Sequence, residues 1–118
     1  MLKILKSRLK LIKLATQWKY WSKKIAEAAE NILGDCEVYV FGSIVENRAT
    51  GGSDVDILIV SDKVPLRAKE RWKIKAEIEE IAGLPLYHPY EIHLVNKREA
   101  KWYMKHIKKK ILVKPKPD

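Results

Sequence analysis

An apolar run ending in Val40-Phe41 stops at Gly42-Ser43, and after ten further residues a second run opens as Asp54-Val55-Asp56-Ile57. This pairing constrains the chain more than any other feature. The two runs read as strands, Glu37 to Phe41 and Asp54 to Val60, separated by a turn and by a loop at Thr50-Gly51-Gly52-Ser53. Strand one ends where strand two begins, so the two are expected to be antiparallel neighbours. Side chains at i and i+2 of a strand share a face, about 6.5–7 Å apart along it. Asp54 and Asp56 are therefore expected side by side, near the Gly-Ser turn.

The rest of the chain supplies helices and one more strand. Leu11, Leu14, Trp18, Trp21, Ile25, Ala28 and Ile32 recur at alternating spacings of three and four, a helical stripe that predicts one or two helices over 2–33, with Gly34 as the cap. Trp18 and Trp21 on that stripe serve either a core or a dimer seam. Ser43 to Arg48 is expected to form a short helix after the turn. Leu66 to Ala82 has helical character and ends at Gly83 and Pro85. Tyr90 to Val95 reads as a third strand, and Arg98 to about Leu112 as a last helix with Trp102, Tyr103 and Ile107 as its apolar contacts. Residues 114–118 read as a tail. The expected class is α+β: a single domain, 1–118, in which helices pack on a small mixed sheet of three strands in the order α-β-α-β-α-β-α.

Composition narrows the function. The 118 residues carry a net charge of +9, distributed as +8 over 1–24, −6 over 25–96 and +7 over 97–118. Two basic ends thus flank an acidic centre, and the paired aspartates lie in that centre. No apolar stretch is of membrane-spanning length, and Met1 to Leu14 is interrupted by lysines and lacks a small-residue cleavage site. A cytoplasmic protein with no membrane role is the expectation. Cys36 is the only cysteine, which excludes an internal disulfide and a cysteine-based zinc site; within a strand pattern it reads as a packing residue. Abundant Lys, Glu and Ile with a single glutamine resemble the bias of a hyperthermophile.

Nucleotidyl transfer with two metal ions needs carboxylates that hold the ions about 3.5–4 Å apart. It also needs backbone N–H groups for the outer phosphates and a group to accept the proton of the attacking hydroxyl. Asp54 and Asp56 suit the first requirement. Gly42 and Ser43, leading into a helix N-terminus, suit the second. In Tyr90-Glu91-Ile92-His93-Leu94, apolar Ile92 and Leu94 alternate with Glu91 and His93. Glu91 is therefore expected on the face of the sheet that carries the aspartates, as a third carboxylate and proton acceptor.

Gly42-Ser43, ten residues and Asp54-Val55-Asp56 together resemble the nucleotidyltransferase superfamily of DNA polymerase β, and specifically its minimal nucleotidyltransferase branch. The resemblance spans the chain. It implies a Mg²⁺-dependent transfer of NMP, AMP from ATP, to a hydroxyl on a partner macromolecule. It assigns Gly42 and Ser43 to the triphosphate, and Asp54, Asp56 and Glu91 to the metal and to catalysis. The family often has Asp where Glu91 stands, and a basic residue where Glu46 stands; Arg48 is the substitute for nucleotide binding. Larger relatives carry an additional helical domain that grips the acceptor, and this length leaves no residues for one. Minimal members are commonly encoded beside small helical HEPN proteins, which they neutralise as antitoxins by adenylylation or by binding. The resemblance therefore implies a HEPN-type partner.

Two other readings use the same residues. One is a non-catalytic antitoxin or binding module that covers its HEPN partner. The other is a basic RNA-binding protein in which the acidic cluster is incidental, its terminal lysines either solvated faces or phosphate contacts. His88-x-x-Glu91-x-His93 has the residue types of a zinc site, but His88 precedes Pro89 in a loop, so the three need not converge. His93 reads as a wall of the site or as a surface residue.

Overall fold

The computed structural model describes residues 2–49 and 54–115. The element order is α1 (Leu2–Thr16), α2 (Trp18–Leu33), β1 (Glu37–Phe41), β2 (Val55–Val60), α3 (Ala68–Ala82), β3 (Tyr90–Val95), α4 (Lys97–His106) and β4 (Lys110–Lys114). The sheet is ordered β3-β2-β1-β4. β1 runs antiparallel to both β2 and β4, whereas β2 and β3 are parallel. The expected α+β architecture is present, with four strands instead of three. The loop expected at 50–53 and most of the expected tail lie outside the described residues.

Strand alternation divides the sheet into two faces. Val38 and Val40 of β1, Val55, Ile57 and Ile59 of β2, and Ile92 and Leu94 of β3 pack on one face with Ile25, Ala28, Ala29 and Leu33 of α2 and Ile78 of α3. On the other face Leu58, Val60 and Val95 form a smaller cluster with Ala100 of α4, edged by Tyr39, Phe41, Tyr103 and Met104. Ile57 and Leu58 are both fully buried, so both faces of β2 are core. A strand covered on both sides reads as a continuous apolar run, as Ile57 to Val60 does.

The helical stripe over 2–33 splits at Gln17 (φ −90°, ψ 25°). Its lower part is core, since Ile25 and Ala28 are buried, but α1 buries no residue. The end of α1 is fastened to the body where the Tyr90 hydroxyl donates to the Leu14 carbonyl at 2.5 Å. Two expectations fail locally. Ser43 to Arg48 forms successive hydrogen-bonded turns instead of a helix: the Gly42 carbonyl accepts from Val45 and Glu46, that of Ser43 accepts from Glu46 and Arg48, and Asn47 takes the left-handed conformation (φ 57°). Asn tolerates that conformation, and it interrupts helical geometry.

The last helix does not reach Leu112. It begins with a full capping box, in which the Glu99 amide donates to the Asn96 side chain and the Asn96 amide to the Glu99 carboxylate. It ends at His106, capped by Ile107. Residues Lys110–Lys114 then lie along the free edge of β1, pairing Tyr39 with Leu112 and Phe41 with Lys110. β-branched Ile111 and Val113 favour this extended state, and the β1 edge supplies backbone partners that a longer helix would leave unpaired. At the opposite edge of the sheet, Arg71 of α3 ties β3 to the start of α4. Its guanidinium donates to the Pro65 and Leu94 carbonyls and to both oxygens of Glu99, at 3.0 and 2.8 Å.

Candidate active site

Register places the acidic residues. Phe41 is opposite Asp56 across the antiparallel β1–β2 pair, and Asp56 is opposite Glu91 across the parallel β2–β3 pair. Asp56 and Glu91 therefore project together on the face covered by α4, at the open end of its small apolar cluster. Asp56 is half-buried and Glu91 exposed. Donor atoms of Asp56, Glu91 and His93 lie within 4.8 Å of one another, a grouping able to hold a metal ion. Asp54 immediately precedes β2, is exposed, and lies outside this group of three.

Gly42 adjoins the carboxylate of Asp56. Its φ is +86°, a conformation natural to glycine, and a Cβ placed there would lie 2.3 Å from Asp56 Oδ2. The missing side chain makes room for the carboxylate. This role for Gly42 is additional to the triphosphate contact expected from sequence. In the turn that follows, among the described residues, the amides of Ser43 and Ile44 donate to no backbone carbonyl. Arg48 instead pairs with Glu46, its Nη2 lying 3.1 Å from Glu46 Oε1.

His93 is more than a wall. Its Nε2 lies 3.2 Å from Asp56 Oδ1 and 3.9 Å from Glu91 Oε1. On the other side of the ring, Nδ1 lies 3.4 Å from the Tyr103 hydroxyl of α4. Burial, reinforced by the negative charges of Glu99, Glu91 and Asp56, pushes the Tyr103 hydroxyl up, and Arg71 opposes this. The phenol thus stays protonated near neutrality. The i, i+2 spacing of Glu91 and His93 was the signal available for His93. Tyr103 read only as an apolar helix contact, and no local pattern connects it to β3. His88 is elsewhere, with its Nε2 3.2 Å from Glu79, so the three-residue zinc arrangement is not formed.

Residues 22–115 match the nucleotidyltransferase domain model. The chain belongs to the nucleotidyltransferase domain family and, by that membership, is a nucleotidyltransferase. Among solved structures it is similar to a protein provisionally assigned as a nucleotidyltransferase, with 31% identity and a TM-score of 0.62 over 76% of this chain and 94% of that one. A provisionally assigned nucleotidyltransferase from Sulfolobus solfataricus shares the fold, with 21% identity and a TM-score of 0.56 over 92% of this chain and 83% of that one. No curated protein matches the chain. Among the described residues no helix is long and apolar enough to cross a membrane.

Proposed function

We propose that this chain is a magnesium-dependent nucleotidyltransferase of the minimal branch, transferring AMP from ATP to a hydroxyl on a partner macromolecule. The observation that carries the reading is the in-register pair Asp56 and Glu91 beside Gly42, whose missing Cβ leaves space for the Asp56 carboxylate. Two carboxylates converging on one face suit a hard cation with oxygen ligands. Asp56 and Glu91 would hold magnesium, and Asp54, at the mouth of β2, would complete the set. Magnesium bound there supplies charge neutralisation for the phosphates and polarises the phosphorus under attack.

The remaining work falls to the chain itself. The Ser43 hydroxyl and the Ser43 and Ile44 amides hold the terminal phosphates, as a nest of backbone donors does. Arg48 leaves Glu46 to meet the same phosphates. Glu91, the more exposed carboxylate, accepts the proton of the acceptor hydroxyl. The hydroxyl oxygen then bonds to the α-phosphorus, the bond to the bridging oxygen breaks, and pyrophosphate leaves. Support for a protein acceptor comes from α1. Leu2 and Ile4 are 75% and 66% exposed, with Leu5 and Leu9 also exposed. This apolar surface has the character of an interaction site, and a small helical HEPN-type protein is the partner we assign to it.

The test is label transfer from α-labelled ATP with Mg²⁺ to a co-purified or co-expressed partner. The Asp56→Ala variant should lose transfer by about 10²-fold or more, the scale of a removed transition-state electrostatic contact, while its thermal unfolding stays cooperative. Undiminished transfer by that variant would falsify the assignment.

A further inference from the structure

The ring of His93 is held so that its two nitrogens face different partners. Phe41 and Tyr103 flank it, with ring centroids 5.4 and 5.8 Å away. Nε2 faces Asp56 Oδ1 at 3.2 Å and Glu91 Oε1 at 3.9 Å, and Nδ1 faces the Tyr103 hydroxyl at 3.4 Å. A neutral imidazole has one N–H and one lone pair, and a hydroxyl can donate or accept. Both tautomers are therefore satisfied on the Tyr103 side. With the proton on Nε2, that nitrogen donates to Asp56 and Tyr103 donates to Nδ1. With the proton on Nδ1, it donates to Tyr103, and the Nε2 lone pair is aimed at two carboxylate oxygens. That second arrangement is repulsive unless a cation lies between them.

The geometry points to His93 Nε2 as a direct ligand of the metal at Asp56 and Glu91, in a site that therefore prefers manganese to magnesium. The inference rests on the metal-site reading above and sharpens it by adding a nitrogen donor beside Asp56 and Glu91. Imidazole nitrogen binds first-row transition ions well and magnesium poorly, whereas carboxylates serve both. Tyr103 is the positioning residue. As hydrogen-bond acceptor of Nδ1–H it selects the metal-binding tautomer, the role that an outer partner plays for most metal-bound histidines. Because Tyr103 lies on α4 and His93 on β3, the donor set is joined to the helix that closes this face.

The experiment measures Mn²⁺ affinity by electron paramagnetic resonance and Mg²⁺ affinity by competition, without nucleotide. It covers the wild type, His93→Gln, Tyr103→Phe and Asp56→Asn. Wild type should bind Mn²⁺ at least about tenfold more tightly than Mg²⁺. His93→Gln should lose about tenfold or more in Mn²⁺ affinity with Mg²⁺ within about twofold, and Tyr103→Phe should lose about tenfold in Mn²⁺, the scale of outer-partner effects. In wild-type protein, pulsed electron paramagnetic resonance of bound Mn²⁺ should show the nitrogen hyperfine coupling of a directly coordinated imidazole, a readout that needs no variant to fold. Absence of that nitrogen coupling, or an unchanged Mn²⁺ to Mg²⁺ ratio in His93→Gln, overturns the inference. If Asp56→Asn nonetheless loses both metals, the carboxylate site and the proposed transfer survive that result. A nitrogen coupling in a protein that labels no acceptor instead retains the histidine ligand and removes the transfer reading.

Discussion

The two faces of β2 are built from the same six residues and do different work. Val55, Ile57 and Ile59 enter the large cluster with α2 and α3, while Leu58 and Val60 enter a small one under α4, with Asp56 at its open end. The large face is apolar along its length. On the small face the apolar cover stops short, and the uncovered end of the sheet carries Asp56, Glu91 and His93. Charged side chains need that gap, because a carboxylate sealed under a helix would lose its hydration without a partner. The contrast suggests a division of labour: one side holds the fold together and the other leaves room for chemistry.

That division breaks most severely if a core substitution disturbs the metal site as well. Ile57 is fully buried on the large face. Ile57→Ala should cost about 2–5 kcal/mol of stability, read by chemical denaturation, with Mn²⁺ affinity unchanged at temperatures where the protein is folded. A parallel loss of metal affinity would mean the faces are not separable. The converse test is Gly42→Ala, whose new Cβ would lie where the Asp56 carboxylate now sits. Displacing that carboxylate by an ångström should lower label transfer by about 10²-fold with a smaller change in denaturation midpoint. Equal activity would show that Asp56 has other room.

Smaller effects sharpen the contrast at the α4 junction. Asn96→Ala removes half of the capping box and should cost about 1 kcal/mol, measurable as a lowered unfolding temperature. Glu99→Gln tests the ion pair behind it. Hydrogen bonding from Arg71, opposed by partial burial, holds the Glu99 carboxyl below its usual range. A carboxyl depressed in the folded state contributes stability above its unfolded pKa and loses it as pH falls through the folded value. The stability gap between wild type and Glu99→Gln should therefore be widest near neutrality and close on acidification. Its size should be below about 1 kcal/mol, since Glu99 is substantially exposed. A gap that persists at low pH would assign the effect to packing instead of charge.

Local pattern carried much of this molecule. Alternation in Tyr90 to Leu94 put Glu91 on the right face, and the run beginning at Asp54 gave β2 within one residue. The helix over Ala68–Ala82 ends at Gly83, whose left-handed conformation (φ 79°) is the usual glycine cap. The errors have a common cause. Lys110–Lys114 is short enough to pass for the end of a helix, and only the vacant edge of β1 makes it a strand. Ser43 to Arg48 has helix-compatible residues, yet the chain must turn tightly there to return along β1, and Asn47 accepts the left-handed conformation.

The sequence by itself determined β1 to β3, the main helices and the acidic face, because hydrophobic period and residue alternation act over a few neighbouring positions and report directly on which side of a strand meets the core. Tertiary structure alone decided that Gly42 faces Asp56, that Tyr103 meets His93 across ten residues of chain, and that β4 closes the sheet. Those contacts depend on strand register and helix placement, which arise from packing the whole domain and leave no periodic trace in the residues that make them.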